Sequence, residues 1–181
     1  MITLFLNNPI NGSVSDSILI QKNIGVIKMM VIHGCYDVKI PKLIRIVKTK
    51  TMALEQAIKL NEDYTLICDD DILQLCDTNL SDMINYLLEN KSFGAVSLYR
   101  EDYTDNLQEY FPKIGNHICN ACMMVRGEAL KDITFGNDEK RPTCYETGLS
   151  LYNSGWKYGY IDMKKRIRHE RRMITVNTYT T

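Results

Sequence analysis

The run Tyr64-Thr-Leu-Ile-Cys68, followed without a break by Asp69-Asp70-Asp71, constrains this chain more than any other feature. Five residues of β-forming, mostly apolar character read as a buried strand. Three adjacent carboxylates repel one another unless a cation or a cap compensates them. A strand that is apolar along its length and acidic only at its C-terminal end fits an α/β domain, where ligands bind outside the carboxyl ends of the strands. Asp69 and Asp71 are two apart and project to one side if the strand conformation continues, presenting hard oxygens of the kind Mg²⁺ or Mn²⁺ takes. On spacing alone, a solvated acidic loop that caps the next helix is an equal alternative.

The rest of the first half supports the same class. Short apolar runs at 2–6, 26–32 and 43–47 read as strands, and 13–23 as a short helical segment ending at Gly25. Thr51 caps a helix whose apolar positions Leu54, Ala57 and Ile58 fall at i, i+3 and i+4. After the acidic run, Met83, Ile84, Leu87 and Leu88 share a helix face, and 93–99 reads as a strand. Residues 100–117 are polar and aromatic without periodicity, a long loop. Beyond it come a strand over 118–125, a short helix over 128–133, a helix over 145–154 stopped by Gly155, and a last strand over 156–161. The expected fold is therefore α/β, with a mostly parallel central sheet flanked by helices, in one domain over 1–163 that divides near residue 99. A basic tail over 164–181 carries Lys164, Lys165, Arg166, Arg168, Arg171 and Arg172.

Length and charge narrow the function. At 181 residues the chain holds one proper core and not two. Lys+Arg and Asp+Glu both number 22, so no net field points to nucleic acid. Every apolar run is interrupted well short of a membrane span. The chain opens without a leader-like segment, which predicts a cytoplasmic protein with reduced thiols for its six cysteines. Cys119 and Cys122 have the Cys-x-x-Cys spacing, but on a strand positions three apart point to opposite faces and cannot chelate together, so they read as core thiols.

Order adds what single motifs lack. The acidic strand end, then Phe93-Gly-Ala-Val96, then Asn120-Ala-Cys-Met-Met-Val-Arg-Gly-Glu-Ala-Leu130, then Tyr145-Glu-Thr-Gly-Leu-Ser-Leu-Tyr-Asn-Ser-Gly-Trp156 resembles the family 2 glycosyltransferases, which have the GT-A fold, over roughly residues 1 to 170. The resemblance implies a nucleotide-binding half over 1–99 and an acceptor half over 100–163. It implies that Asp69 and Asp71, as the Asp-x-Asp motif, hold Mn²⁺ or Mg²⁺ on the diphosphate of a UDP- or GDP-sugar, with Asp70 toward the sugar. His169 is the counterpart of a late metal-ligating His, and Asp37 is the carboxylate near the position where the family reads the nucleobase. Glu146, where the family more often has Asp, is then the general base for a hexosyl transfer with inversion to a hydroxyl acceptor such as a glycan. Asp138 and Glu139 are its nearest substitutes. The basic tail would meet the diphosphate or an anionic membrane surface peripherally.

Trp156, Tyr158 and Tyr160, with Tyr103, Tyr110 and Phe111, can stack on a sugar ring or belong to the core. Two other functions share features with this reading. Leu66-Ile-Cys-Asp-Asp-Asp-Ile-Leu73 also resembles the strand-Asp-x-Asp signature of haloacid dehalogenase-type phosphohydrolases, in which Asp69 would be the nucleophile. A binding protein that keeps the fold and takes up nucleotide or glycan without turnover is the other.

Overall fold

The computed structural model describes residues 2–8, 27–33, 39–69, 77–100, 118–136 and 143–167. Strands β1 (Ile2–Asn8), β2 (Ile27–His33) and β3 (Tyr64–Asp69) lie side by side and parallel, with α1 (Lys42–Leu60) leading into β3. Helix α2 (Asp77–Glu89) precedes β4 (Phe93–Arg100). Then follow β5 (Cys122–Arg126), a 3₁₀ helix (Gly127–Asp132), α3 (Thr143–Asn153) and β6 (Lys157–Ile167). The sheet order is β2-β1-β3-β5-β4-β6. Only β5 runs against its neighbours, and β4 and β6 are parallel, so the described sheet is mostly parallel as expected.

Both faces of the central strands are covered, which is why β3 and β5 carry apolar residues at consecutive positions. On one face Leu66, Cys68, Cys122 and Met124 pack with Leu80, Met83 and Leu87 of α2. On the other, Ile67, Met123 and Val125 pack with Val47, Leu54 and Ala57 of α1 and Leu151 of α3. Asn61 ends α1 in the left-handed region at φ 49°, its N–H donating to the carbonyls of Ala57 and Ile58. Among the described residues no helix is long and apolar enough to cross a membrane.

Three local expectations are corrected. Residues 43–47, read as a strand from their β-branched content, form the start of α1, because Val47 begins the stripe that continues through Leu54 and Ala57. Residues 118–121 are not strand but a loop and turn before β5. The opposite-face argument for Cys119 and Cys122 therefore fails, and both thiols sit in the α2-side core. Neither forms a disulfide, nor do Cys68 and Cys144. Cys68 lies opposite Cys122 across the β3–β5 pair, and the hydrogen bond to that thiol, with burial, pushes its pKa well up. Burial raises Cys144 to about 11, so neither Cys68 nor Cys144 suits thiolate chemistry at neutral pH. Last, β6 continues to Ile167, where after an irregularity Tyr99 and Arg100 pair with Arg166 and Ile167, so strand pairing reaches into the segment expected to be a tail. The helical reading of 13–23 and the loop at 101–117 lie outside the described residues.

Candidate functional site

Asp69 is the last residue of β3, level with Asn7 of β1 at the carboxyl ends of the parallel strands. Its backbone N–H donates to the carbonyl of Ala121 at 2.7 Å, which ties the strand end to the turn before β5. From α1, Lys50 reaches the same corner. It stands at the position between Val47 and Leu54 in the apolar stripe, and it is 2% exposed. Its ammonium lies 2.9 Å from Asp69 Oδ1, 2.7 Å from the Asn120 carbonyl oxygen and 3.3 Å from Asn120 Oδ1. An ammonium has three N–H donors, and here three acceptors meet them. Such saturation is what a buried cation requires, since its desolvation costs several kcal/mol or more unless it is paired and hydrogen-bonded.

Lys50 also fixes which way Asn120 faces. Lys50 only donates, so Oδ1 must point toward it, and Nδ2 must point away. On that far side Nδ2 donates to Thr143 Oγ1 at 3.1 Å and Thr147 Oγ1 at 3.4 Å. Thr147 in turn donates to the Thr143 carbonyl at 2.8 Å. These two threonines bracket the first turn of α3, the turn that holds Glu146. Asn120 is 7% exposed and Thr147 fully buried. A continuous polar chain thus runs from Asp69 through Lys50 and Asn120 to the base of the Glu146 turn.

Glu146 is half-buried and lies over Gly136, whose φ is +62°. A Cβ placed there would fall 2.4 Å from Glu146 Cγ. Gly136→Ala therefore combines left-handed backbone strain of about 1 kcal/mol with displacement of Glu146. The expected result is a modest loss of thermal stability and a much larger loss of whatever reaction Glu146 serves, measured as melting temperature against turnover.

Of the residues singled out in the sequence, Asp69 and Glu146 are placed here and joined by the chain just described. Asp37, Asp70, Asp71, Asp138, Glu139 and His169 lie outside the described residues, as do Tyr103, Tyr110 and Phe111. The stacking role of Trp156 gives way to packing: it lies against Gly94 and Ala129, and its Nε1 donates to Asp132 Oδ2 at 2.8 Å. Tyr158 packs with the same core, and burial, then Tyr145 and Tyr152, raise its hydroxyl to about 12. Tyr160 packs on the opposite face. Sequence reasoning missed Lys50, Asn120, Thr143 and Thr147. The available signal was a lysine at a stripe position of an amphipathic helix.

Asp69 supplies one hard carboxylate donor at this strand end, with its Oδ1 paired to the Lys50 ammonium. Among the described residues no group of three His, Cys, Asp or Glu side chains is arranged to hold a metal ion. A cleft of about 540 Å³ lined by Asn61, Glu62, Asp63, Arg126 and Glu128 lies at the other end of β3, away from the edge where α/β sheets bind ligands.

No protein-family model matches the sequence, and no curated protein does. Solved structures do match. A glycosyltransferase involved in glycosylating the major capsid of PBCV-1 superposes with a TM-score of 0.60 at 11% identity, over 94% of this chain and 93% of that one. Glucosyl-3-phosphoglycerate synthase from Mycobacterium tuberculosis gives 0.60 at 12% identity, over 94% and 72%. This chain has the GT-A fold. The mannosyltransferase from Pyrobaculum calidifontis, solved with GDP-Man and Mn²⁺, extends the likeness with a TM-score of 0.56 at 15% identity, over 95% of this chain and 58% of that one. The mycobacterial enzyme is also solved with Mn²⁺, UDP-glucose and phosphoglyceric acid. Asp69 ends β3, a central parallel strand of this fold.

Proposed function

We propose that this chain is a metal-dependent glycosyltransferase that moves a hexosyl group from a UDP- or GDP-sugar to a hydroxyl acceptor, with inversion at the anomeric carbon. The observation that carries the reading is the juxtaposition on a GT-A fold of a strand-end carboxylate, Asp69, with a buried polar chain leading to the helix turn that holds Glu146. The nucleotide-sugars and Mn²⁺ in the solved neighbours support the donor class.

In this reading Asp69, with Asp71 and His169, holds Mn²⁺ or Mg²⁺, while Asp70 and Asp37 meet the sugar and the nucleobase. The cation, when bound, neutralises the charge that builds on the departing diphosphate. Lys50 keeps Asp69 in one rotamer, and its charge offsets part of the repulsion among the three aspartates. Glu146 takes the proton of the acceptor hydroxyl as that oxygen bonds to the anomeric carbon. The bond to the diphosphate oxygen breaks on the opposite side, and the configuration inverts. Residues 1–99 serve the donor and 100–163 the acceptor, a glycan or another hydroxyl compound.

Calorimetric titration with UDP-glucose, GDP-mannose and the free diphosphates, with Mn²⁺ and with EDTA, tests this on wild type and Asp71→Ala. Metal-dependent binding of one nucleotide, lost in the variant, is expected. Absence of binding by the wild type would send the assignment back to the phosphohydrolase reading.

A further inference from the structure

Asn120 uses its whole side chain to join the Lys50–Asp69 corner to the first turn of α3. Its Oδ1 accepts from Lys50, which holds Asp69, and its Nδ2 donates to both Thr143 and Thr147 of α3. The backbone repeats the connection: the Asn120 carbonyl accepts from Lys50, the Ala121 carbonyl accepts from Asp69 N–H, and the N–H of Ile118 donates to the Cys144 carbonyl at 3.3 Å. Residues 118–121 are thus clamped to the end of β3 on one side and to the start of α3 on the other. Every group in the clamp is buried or half-buried, so Asp69, Lys50 and Asn120 share one hydrogen-bond network shielded from water.

We propose that Asn120 is a positioning residue that couples occupancy of the Asp69 corner to the order of the first turn of α3, and hence to Glu146. This rests on the transferase reading above and adds to it a direction of communication: donor binding tightens the helix that holds the base before the acceptor reacts. Asn120 touches neither reacting atom. It acts through Lys50 on one side and through Thr143 and Thr147 on the other. Coupling of this kind is reciprocal and amounts to about fivefold or more in an equilibrium.

The test is hydrogen exchange of the full chain with Mn²⁺ plus UDP, and in parallel Mn²⁺ plus GDP, each against EDTA. In the wild type the nucleotide that binds should slow exchange in α3 about fivefold or more. In Asn120→Ala that slowing should disappear. The double variant Thr143→Val with Thr147→Val, nearly isosteric and without either Oγ that Asn120 Nδ2 reaches, should keep nucleotide affinity and lose the α3 response. It carries the test if Asn120→Ala does not fold. Binding to the wild type with α3 exchange unchanged, or an equal response in the double variant, overturns the coupling while leaving the transferase reading intact. Failure of the wild type to bind either nucleotide overturns both.

Discussion

Lys50→Met should lower the stability of the protein by about 3 kcal/mol, read as a fall in the urea midpoint at unchanged slope. Methionine nearly matches the length of the lysine stem and suits the apolar stripe between Val47 and Leu54, so the loss isolates the ammonium from the packing. What remains behind decides the magnitude. The Asn120 carbonyl and Oδ1 lose a donor in a buried site, at a cost of about 1–3 kcal/mol for each group left unsatisfied. Asp69 loses its ion pair, but its side chain is 23% exposed against 3% for Lys50, so water recovers part of that term. Removing the buried ammonium also returns its own desolvation cost, which is why the expected loss is below the sum. A change under about 1 kcal/mol would place the pair with ordinary surface salt bridges and contradict the clamp. Lys50→Arg should not restore the wild-type value, because a planar fork cannot meet three acceptors gathered around one nitrogen.

The second large effect is chemical. Glu146→Gln should reduce turnover about 10²–10⁴-fold while leaving metal-dependent nucleotide binding and the melting temperature close to wild type. The amide keeps the length and shape that pack over Gly136, so the fold gains no cavity and no clash. It cannot accept a proton from a hydroxyl near neutral pH. Equal losses in nucleotide affinity and turnover would mean that Glu146 binds donor instead. Unchanged turnover would move the base to Asp138 or Glu139 of the preceding segment.

Much of this architecture is legible in the sequence because its strongest signals are local. The apolar strand at 64–68 ends where the aspartates begin, and Gly155, at φ +85°, stops α3 where a glycine should. The failures have physical causes. Residues 43–47 are β-branched enough to look like a strand, and only the buried stripe they share with Leu54 and Ala57 makes them helix. That error hid Lys50, since a lysine before the expected helix start reads as solvated loop. Asn120 was hidden differently. The apolar run around it has strand character, and tertiary bonds from Lys50 and the two threonines, together with Ser97 Oγ within reach of the Cys119 and Cys122 carbonyls, hold residues 118–121 as a turn. Long-range polar contacts of that kind leave no periodic trace.

Mn²⁺ placement within the folded chain tests the central claim most directly. With UDP or GDP present, paramagnetic broadening of assigned amide resonances should be strongest near Asp69, Lys50 and Asn120 and fade toward the opposite end of β3. Broadening centred instead on Glu62, Asp63 and Glu128, the acidic residues of the other cleft, would contradict the assignment of the donor corner.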